Sequence, residues 1–201
     1  MTTEQNLSAL SEYDFVLVLD ASGSMSKEDM KGRSRWAYMQ ETAAAFARDV
    51  GKLDSDGIDV VVFNGANIQS FPGIDANRVE AIFNENRPTS STPLAGALQA
   101  ALKLAGKSAK KDFIIVFTDG EPDDKEAAAK VIREASNQLA SDEDLTFLFV
   151  QVGFDPYATN YLRGLDDNLK GAKFDIVDVK TIDEAEKFAS TADLVIAAIN
   201  D

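Results

Sequence analysis

Oxygen-bearing side chains stand at alternate positions directly after the first apolar run of the sequence. Asp20, Ser22 and Ser24 are separated only by the small residues Ala21 and Gly23. In extended backbone, alternate side chains point to the same side, so one carboxylate and two hydroxyls would face one point. These are hard oxygen donors that suit Mg²⁺ or Mn²⁺ and tolerate Ca²⁺, whereas zinc prefers nitrogen or sulfur. Taken alone, the pattern is equally typical of a strand-to-loop turn in which Asp and Ser bond to local backbone.

Two further loops carry side chains of the same kind. Thr92 and Pro93 open a helical segment, with Thr92 predicted as the helix cap and Pro93 as the first helical residue. A cap does not exclude a metal contact, because an ion can approach the hydroxyl directly or through water. Asp119 ends a later apolar run as Asp20 ends the first. If those two strands are neighbours where the strand order of a parallel sheet reverses, both carboxylates face the crevice in which open α/β sheets bind ligands.

Short runs of Val, Ile, Leu and Phe alternate along the chain with longer stretches of helical period. This alternation predicts a doubly wound α/β fold, in which helices cover both faces of a mostly parallel sheet. The third strand follows the second after a short glycine-containing loop, which predicts an antiparallel edge. An apolar stripe at three- and four-residue spacing predicts one long closing helix packed on the sheet. The predicted strands are 15–20, 58–63, 68–71, 112–118, 145–152 and 174–179, and the predicted helices are 36–50, 77–84, 93–106, 125–140, 157–165 and 182–199.

Length and composition narrow the classes of function. The 201 residues fit one domain, which we place at 13–201 after an N-terminal extension, 1–12. The sequence contains neither cysteine nor histidine, which excludes disulfides, thiolate sites and the commonest general base. A formal net charge of −14 repels phosphate backbones and anionic lipid, so neither nucleic acid nor a membrane is an expected partner. The sequence has no leader pattern, no bilayer-length apolar segment and no nucleotide-binding glycine loop, so we expect a cytoplasmic protein without a nucleotide cofactor.

The three loops together resemble a von Willebrand factor A-type (VWA) domain. The resemblance rests on the D-x-S-x-S motif that starts at Asp20, the Thr-Pro pair at Thr92 and the Thr-Asp-Gly motif around Asp119. It runs from about Tyr13 to the last predicted helix and implies a Rossmann-like sheet of order 3-2-1-4-5-6 with one antiparallel edge strand. It also implies a metal-ion-dependent adhesion site (MIDAS), in which some side chains bind the cation directly and others through water. The implied metal ligands are Asp20, Ser22, Ser24, Thr92 and Asp119.

The resemblance further implies a protein-binding function rather than an enzyme. In related adhesion domains, a Glu or Asp of the partner protein completes the coordination of the ion. Only two of the five implied ligands are charged, so a bound dication would seek another anion. The segment TDGEPDD, the absence of cysteine and the acidic composition resemble intracellular bacterial members, including those associated with stress or tellurite resistance.

Two other functions stay open at this point. Asp20 could be the nucleophile of a Mg²⁺-dependent phosphotransferase or phosphatase, but haloacid-dehalogenase-type enzymes need a second Asp two residues later, where this chain has Ser22. The metal could instead be an inert structural ion of a larger complex. Glu28 and Asp29 could form a second cation site, although a solvated charged loop is the favoured interpretation.

Overall fold

A six-stranded sheet forms the centre of the molecule, in the order β3-β2-β1-β4-β5-β6. The computed structural model describes residues 10–51, 57–167 and 169–200. Neighbouring strands are parallel except for β2 and β3, which are antiparallel. The predicted fold, strand order and antiparallel edge are therefore confirmed. The strands are β1 (Tyr13–Asp20), β2 (Ile58–Asn64), β3 (Asn67–Ile74), β4 (Lys111–Thr118), β5 (Leu145–Gln151) and β6 (Val177–Thr181).

The apolar content of each strand follows from its place in the sheet. The central strands β1, β2, β4 and β5 are almost entirely buried, because helices cover both of their faces. Most residues of the edge strand β3 are exposed, and this strand contains Pro72. Proline cannot donate a ladder hydrogen bond, so it is tolerated at an edge.

Two layers of helices enclose the sheet. The helices are α1 (Arg35–Val50), α2 (Ala76–Glu85), α3 (Leu94–Leu104), α4 (Lys125–Gln138), α5 (Pro156–Asp167), α6 (Ile182–Ala185) and α7 (Thr191–Ile199), and short 3-10 helices cover Gly23–Ser26 and Asp142–Asp144. Helices α1, α2, α6 and α7 contribute to the core on one face of the sheet. Helices α3, α4 and α5 contribute to the core on the other face. Among the described residues, no helix is long and apolar enough to cross a bilayer.

The closing segment differs from its prediction. One helix was predicted over 182–199, but α6 ends at Ala185 and α7 begins at Thr191. The hydroxyl of Ser190 accepts a hydrogen bond from the backbone N–H of Asp193 and so caps a new helix. A serine that bonds to local backbone in this way favours a helix start over a helix interior. The apolar stripe nevertheless faces the sheet, since Ala192, Val195 and Ala198 lie in the core.

The last strand is also displaced from its predicted position, 174–179, to Val177–Thr181. The backbone N–H of Phe174 donates to the Ser136 hydroxyl, and that hydroxyl donates to the Phe174 carbonyl. This exchange joins Phe174 to α4 instead of the sheet. Most of the predicted N-terminal extension, residues 1–9, lies outside the described residues.

Candidate metal centre

Asp20 and Asp119 come to the same edge of the sheet at its topological switch point. Strands β1 and β4 are parallel neighbours, with Leu19 opposite Phe117, so the carboxyl ends of the two strands coincide. The other neighbour of β1 is β2, and the chain order reverses between β1 and β4. Ligands of open α/β sheets bind in the crevice formed at such a point. Both carboxylates are buried there.

Backbone hydrogen bonds join the three loops that carry the predicted ligands. In the first loop, the N–H of Gly23 donates to the carbonyl of Ser90 over 3.0 Å. Thr92 belongs to that second loop, and its own N–H donates to Asp123 Oδ1 over 2.9 Å. The N–H of Asp123 in turn donates to the Thr92 carbonyl over 3.0 Å. Asp123 lies in the third loop with Asp119, so the loops hold one another in place.

The side chain of Asp20 is fixed by two hydrogen bonds. Its Oδ1 accepts from the N–H of Ser22 over 2.8 Å, and its Oδ2 accepts from the Thr118 hydroxyl over 2.6 Å. The hydroxyls of Ser22 and Ser24 lie 3.1 Å apart. Extended backbone ends at Ser22, and Ser24 lies in the 3-10 helix Gly23–Ser26, so this turn brings the two hydroxyls together instead of the predicted extended alternation.

Burial raises the pKa of Asp20 to about 6. The hydrogen bonds from Thr118 and Ser22 act in the opposite direction, and the nearby charge of Asp119 adds to the increase. A carboxylate whose ionised form is disfavoured in this way gains most from a cation beside it.

Asp119 is paired with a residue that sequence analysis did not identify. The Nη1 atom of Arg35, at the start of α1, donates to Asp119 Oδ2 over 2.8 Å. On its other side the same guanidinium donates from Nε and Nη2 to the two oxygens of Asp29, over 2.9 and 2.5 Å. Arg35 is only 5% exposed, so this is a buried cation between two carboxylates. The pKa of Asp29 is lowered because Arg35 donates to it.

Gly153, after β5, makes room for this arginine. Its φ angle is +100°, and a Cβ atom built on it would lie 2.6 Å from Cζ of Arg35. The sequence pattern gives no prediction for Arg35, which precedes the predicted helix 36–50, and Asp29 is interpreted as part of a solvated loop. That interpretation of Asp29 misses the ion pair, because nothing in the local sequence indicates that Arg35 is buried.

Thr92 is placed differently from its predicted capping role. Helix α3 begins at Leu94 with Pro93 as its N-cap residue, and this cap makes no side-chain hydrogen bond. The prediction that Thr92 caps the helix and Pro93 is its first residue was wrong, because the helix begins one residue later and Pro93 takes the cap position. Both backbone polar groups of Thr92 bond to Asp123 instead. Thr92 is 7% exposed, so its side chain is held at the buried end of the loop.

The chemistry of this donor set fits a hard divalent cation. Of the five predicted ligands, Asp20 and Asp119 are carboxylates and Ser22, Ser24 and Thr92 carry hydroxyls. Among the described residues, no group of three or more acidic side chains is arranged to hold a metal ion, so hydroxyls and water would have to supply the remaining ligands. Such a set suits Mg²⁺, Mn²⁺ or Ca²⁺ and gives zinc no nitrogen or sulfur ligand.

The fold and the site together define a doubly wound α/β domain with oxygen-bearing side chains from three loops at its switch point. The family model of the von Willebrand factor type A domain matches residues 15–121, more than half of the sequence. The chain belongs to the von Willebrand factor type A domain family. A search of curated proteins finds no match.

Solved structures of similar fold include proteins of diverse origin. The manganese-loaded TRAP protein of Plasmodium vivax has a TM-score of 0.61 and 15% identity, over 88% of this chain and 71% of its own. An aerotolerance-related membrane protein of Bacteroides fragilis has a TM-score of 0.62 and 15% identity, over 94% and 98%. The pilus adhesin SpaC of Lactobacillus rhamnosus GG has a TM-score of 0.59 and 18% identity, over 94% and 29%. At these identities the likeness concerns the fold.

Proposed function

We propose that the protein is a metal-dependent protein-binding module. A divalent cation, Mg²⁺ or else Mn²⁺ or Ca²⁺, is held by Asp20, Ser22, Ser24, Thr92 and Asp119, and an acidic side chain of a partner protein completes its coordination. The observation that carries this proposal is the meeting of Asp20 and Asp119 at the switch point, beside loops that are hydrogen-bonded to one another. The cation would supply a positive centre, and the chain's own residues would hold it at the switch point of the sheet.

The charge of the site supports a binding role. Two carboxylates only just neutralise a bound dication, and one of them, Asp119, is already shared with the buried guanidinium of Arg35. The ion therefore favours a further anionic ligand, and a charge-assisted contact with a carboxylate is strong and directional.

The surface around the site restricts the kind of partner. Glu121, Asp123 and Asp124 are exposed on the third loop, and the chain carries a formal net charge of −14. A highly acidic partner would be repelled. We propose a partner that presents one Glu or Asp within a neutral or basic surface.

The similar structures support the same class of function. One of them was solved with manganese, and another is a pilus adhesin. We further propose that this chain acts in the bacterial cytoplasm, in a system for stress or metal resistance, and that its domain starts near residue 13. The sequence features that support this are the TDGEPDD segment, the acidic composition and the absence of cysteine.

The phosphotransferase alternative has less support. A nucleophilic carboxylate must reach the phosphorus atom, but Asp20 is fully buried and both of its oxygens accept hydrogen bonds. Ser22 also stands where the acid/base Asp of such enzymes is needed. We propose that the protein is not an enzyme. A generic phosphate ester incubated with Mg²⁺ and the protein tests this directly.

The decisive experiment compares Asp20→Asn and Asp119→Asn with the wild type. Asparagine keeps one oxygen, which can accept from Thr118 in Asp20→Asn or from Arg35 in Asp119→Asn. The Asp20 variant loses the acceptor of the Ser22 N–H, but it also loses a buried charge, which offsets that cost, so both variants should fold when metal-free. Glu134→Ala is the control, because it removes an exposed carboxylate on α4 that lines a cavity at the opposite edge of the sheet. Circular dichroism checks folding, calorimetry measures Mn²⁺ binding, and a pull-down from lysate with and without chelator measures partner retention.

We expect both aspartate variants to fold and to lose saturable Mn²⁺ heat and chelator-sensitive partner retention, while Glu134→Ala behaves as the wild type. Folded variants that still retain a partner in a metal-dependent way would refute the adhesion-site mechanism. An unexchangeable ion whose removal unfolds the wild type would favour the structural-ion alternative.

A further inference from the structure

The guanidinium of Arg35 links the candidate metal centre to a carboxylate outside it. It binds Asp119 through Nη1 and Asp29 through Nε and Nη2. The side chain of Arg35 is 6% exposed, that of Asp119 is 6% exposed, and that of Asp29 is 40% exposed. One end of this chain of contacts therefore lies in the site, and the other reaches solvent.

The arginine is held in this position from several sides. Its backbone N–H donates to the Lys27 carbonyl over 2.9 Å, and the hydroxyl of Ser34 caps the helix that Arg35 begins. Gly153 closes over the guanidinium, with no space for a Cβ atom. A planar fork with fixed donors then determines which edge of the guanidinium faces each carboxylate.

The position of Arg35 has two consequences for a cation at the site. Its bond to Oδ2 of Asp119 orients the carboxylate and leaves Oδ1 as the oxygen that can turn to an ion or its water. Its positive charge opposes the binding of that ion, and low-dielectric surroundings strengthen this opposition. Asp29 offsets part of the charge from the far side of the guanidinium.

We propose that Arg35 is a positioning residue that lowers the cation affinity of the site, and that Asp29 sets the size of this effect through Arg35. The inference rests on the proposed metal site. Its consequence for function is that this chain alone holds the ion weakly, so the ion gains from a further carboxylate supplied from outside the chain.

Calorimetric titration with Mn²⁺ alone tests the inference on the purified chain. Arg35→Gln should bind Mn²⁺ at least about tenfold more tightly than the wild type, because a nearby positive charge is lost. Arg35→Lys keeps the charge and loses the fork, so its Kd should stay within about threefold of the wild-type value. Asp29→Asn should weaken Mn²⁺ binding by about three- to tenfold, because Arg35 is then compensated less.

Two further variants distinguish an effect of Asp29 that acts through Arg35 from an effect of general surface charge. Glu28→Gln removes the same charge from the exposed neighbour of Asp29 and should change the Kd by less than about twofold, since exposed charges are screened. In Arg35→Gln/Asp29→Asn, the effect of the Asp29 substitution should largely vanish, which is the non-additivity expected of residues that act through each other. Metal-free melting curves monitor folding throughout.

Each outcome decides one hypothesis. Absence of saturable Mn²⁺ heat in the wild type would refute the proposed metal site itself. A wild type that binds, beside a folded Arg35→Gln variant that binds equally or more weakly, would refute the role of Arg35 and leave the metal site standing. If Arg35→Gln does not fold, Asp29→Asn and Glu28→Gln decide, and equal affinities for these two would refute the inference.

Discussion

At the scale of single residues, the burial of Asp20 couples the site to pH. Its pKa is raised to about 6, whereas an unfolded chain has a value near 3.9. The folded state thus binds the Asp20 proton more tightly than the unfolded state does. The contribution of protonated Asp20 to the free energy of unfolding is most favourable below about pH 4 and is lost as the pH rises to about 6. Above that, ionised Asp20 destabilises the metal-free protein by about 3 kcal/mol.

Urea unfolding in chelator between pH 4 and 7.5 measures this contribution. The free energy of unfolding of wild type minus that of Asp20→Asn should fall across that interval, because the asparagine does not titrate. With Mn²⁺ present, the proton competes with the ion, and the affinity should fall about tenfold per pH unit below about pH 6. A difference between the two proteins that stays flat with pH would contradict the raised pKa.

We expect the hydroxyl of Thr92 to be a ligand of the ion and not a cap of helix α3. Because α3 has no side-chain cap, Thr92→Ala should lower the free energy of unfolding of the metal-free protein only by the lost burial of one methyl group, about 1 kcal/mol. It should weaken Mn²⁺ binding several-fold. Thr89→Ala is the matched control, since it makes the same change at an exposed position of the same loop. Equal Mn²⁺ affinity for the two variants would remove Thr92 from the ligand set.

At the scale of elements, the break between α6 and α7 has a measurable signature at Ser190. As an N-cap, Ser190→Ala should lower the free energy of unfolding by about 1 kcal/mol, and Ser190→Gly by only a few tenths. A serine inside a continuous helix would give the reverse order, because alanine is the best helix former and glycine a poor one. Chemical denaturation of the two variants therefore distinguishes two helices from one.

At the scale of the whole molecule, two exposed aromatic side chains flank the candidate site. Phe154 and Tyr157 are 57% and 75% exposed in the loop and first turn after β5. Their chain neighbours contact the site: Gly153 abuts Arg35, and a Cβ atom on Gly120, which follows Asp119, would meet Ala158. Aromatic residues of this kind often anchor protein interfaces.

We expect Phe154→Ser/Tyr157→Ser to reduce chelator-sensitive partner retention at least about tenfold, as befits loss of interface anchors, while the Mn²⁺ Kd stays unchanged. The control is Ile68→Ser, which also replaces an exposed apolar side chain by serine, but on the edge strand β3, where Ile68 is 37% exposed. Pull-down and calorimetry on the same preparations provide both measurements. Undiminished retention in the double variant would place the partner elsewhere.

Much of the fold and the type of the site could be predicted from local sequence pattern. The sequence by itself determined that six strands form, the antiparallel edge and the position of Asp20 and Asp119 at strand ends, although the last strand begins three residues later than predicted. Local apolar runs mark where a buried strand ends, and parallel strands bring those ends to one edge. The Asp-Ser-Ser spacing predicted three oxygen-bearing side chains on one side of extended backbone; the hydroxyls of Ser22 and Ser24 do lie together, but a 3-10 helix brings Ser24 there.

Only the tertiary structure decided which distant residues contact one another in the site. Arg35 and Asp119 are 84 residues apart, and the space for the guanidinium depends on Gly153, so no local pattern reveals that this arginine is buried. The backbone of Thr92 is bound by Asp123, 31 residues away, which overrode the local signal for a helix cap. Periodicity and capping preferences describe near neighbours along the chain, whereas ion pairs and loop contacts arise only when distant segments pack together.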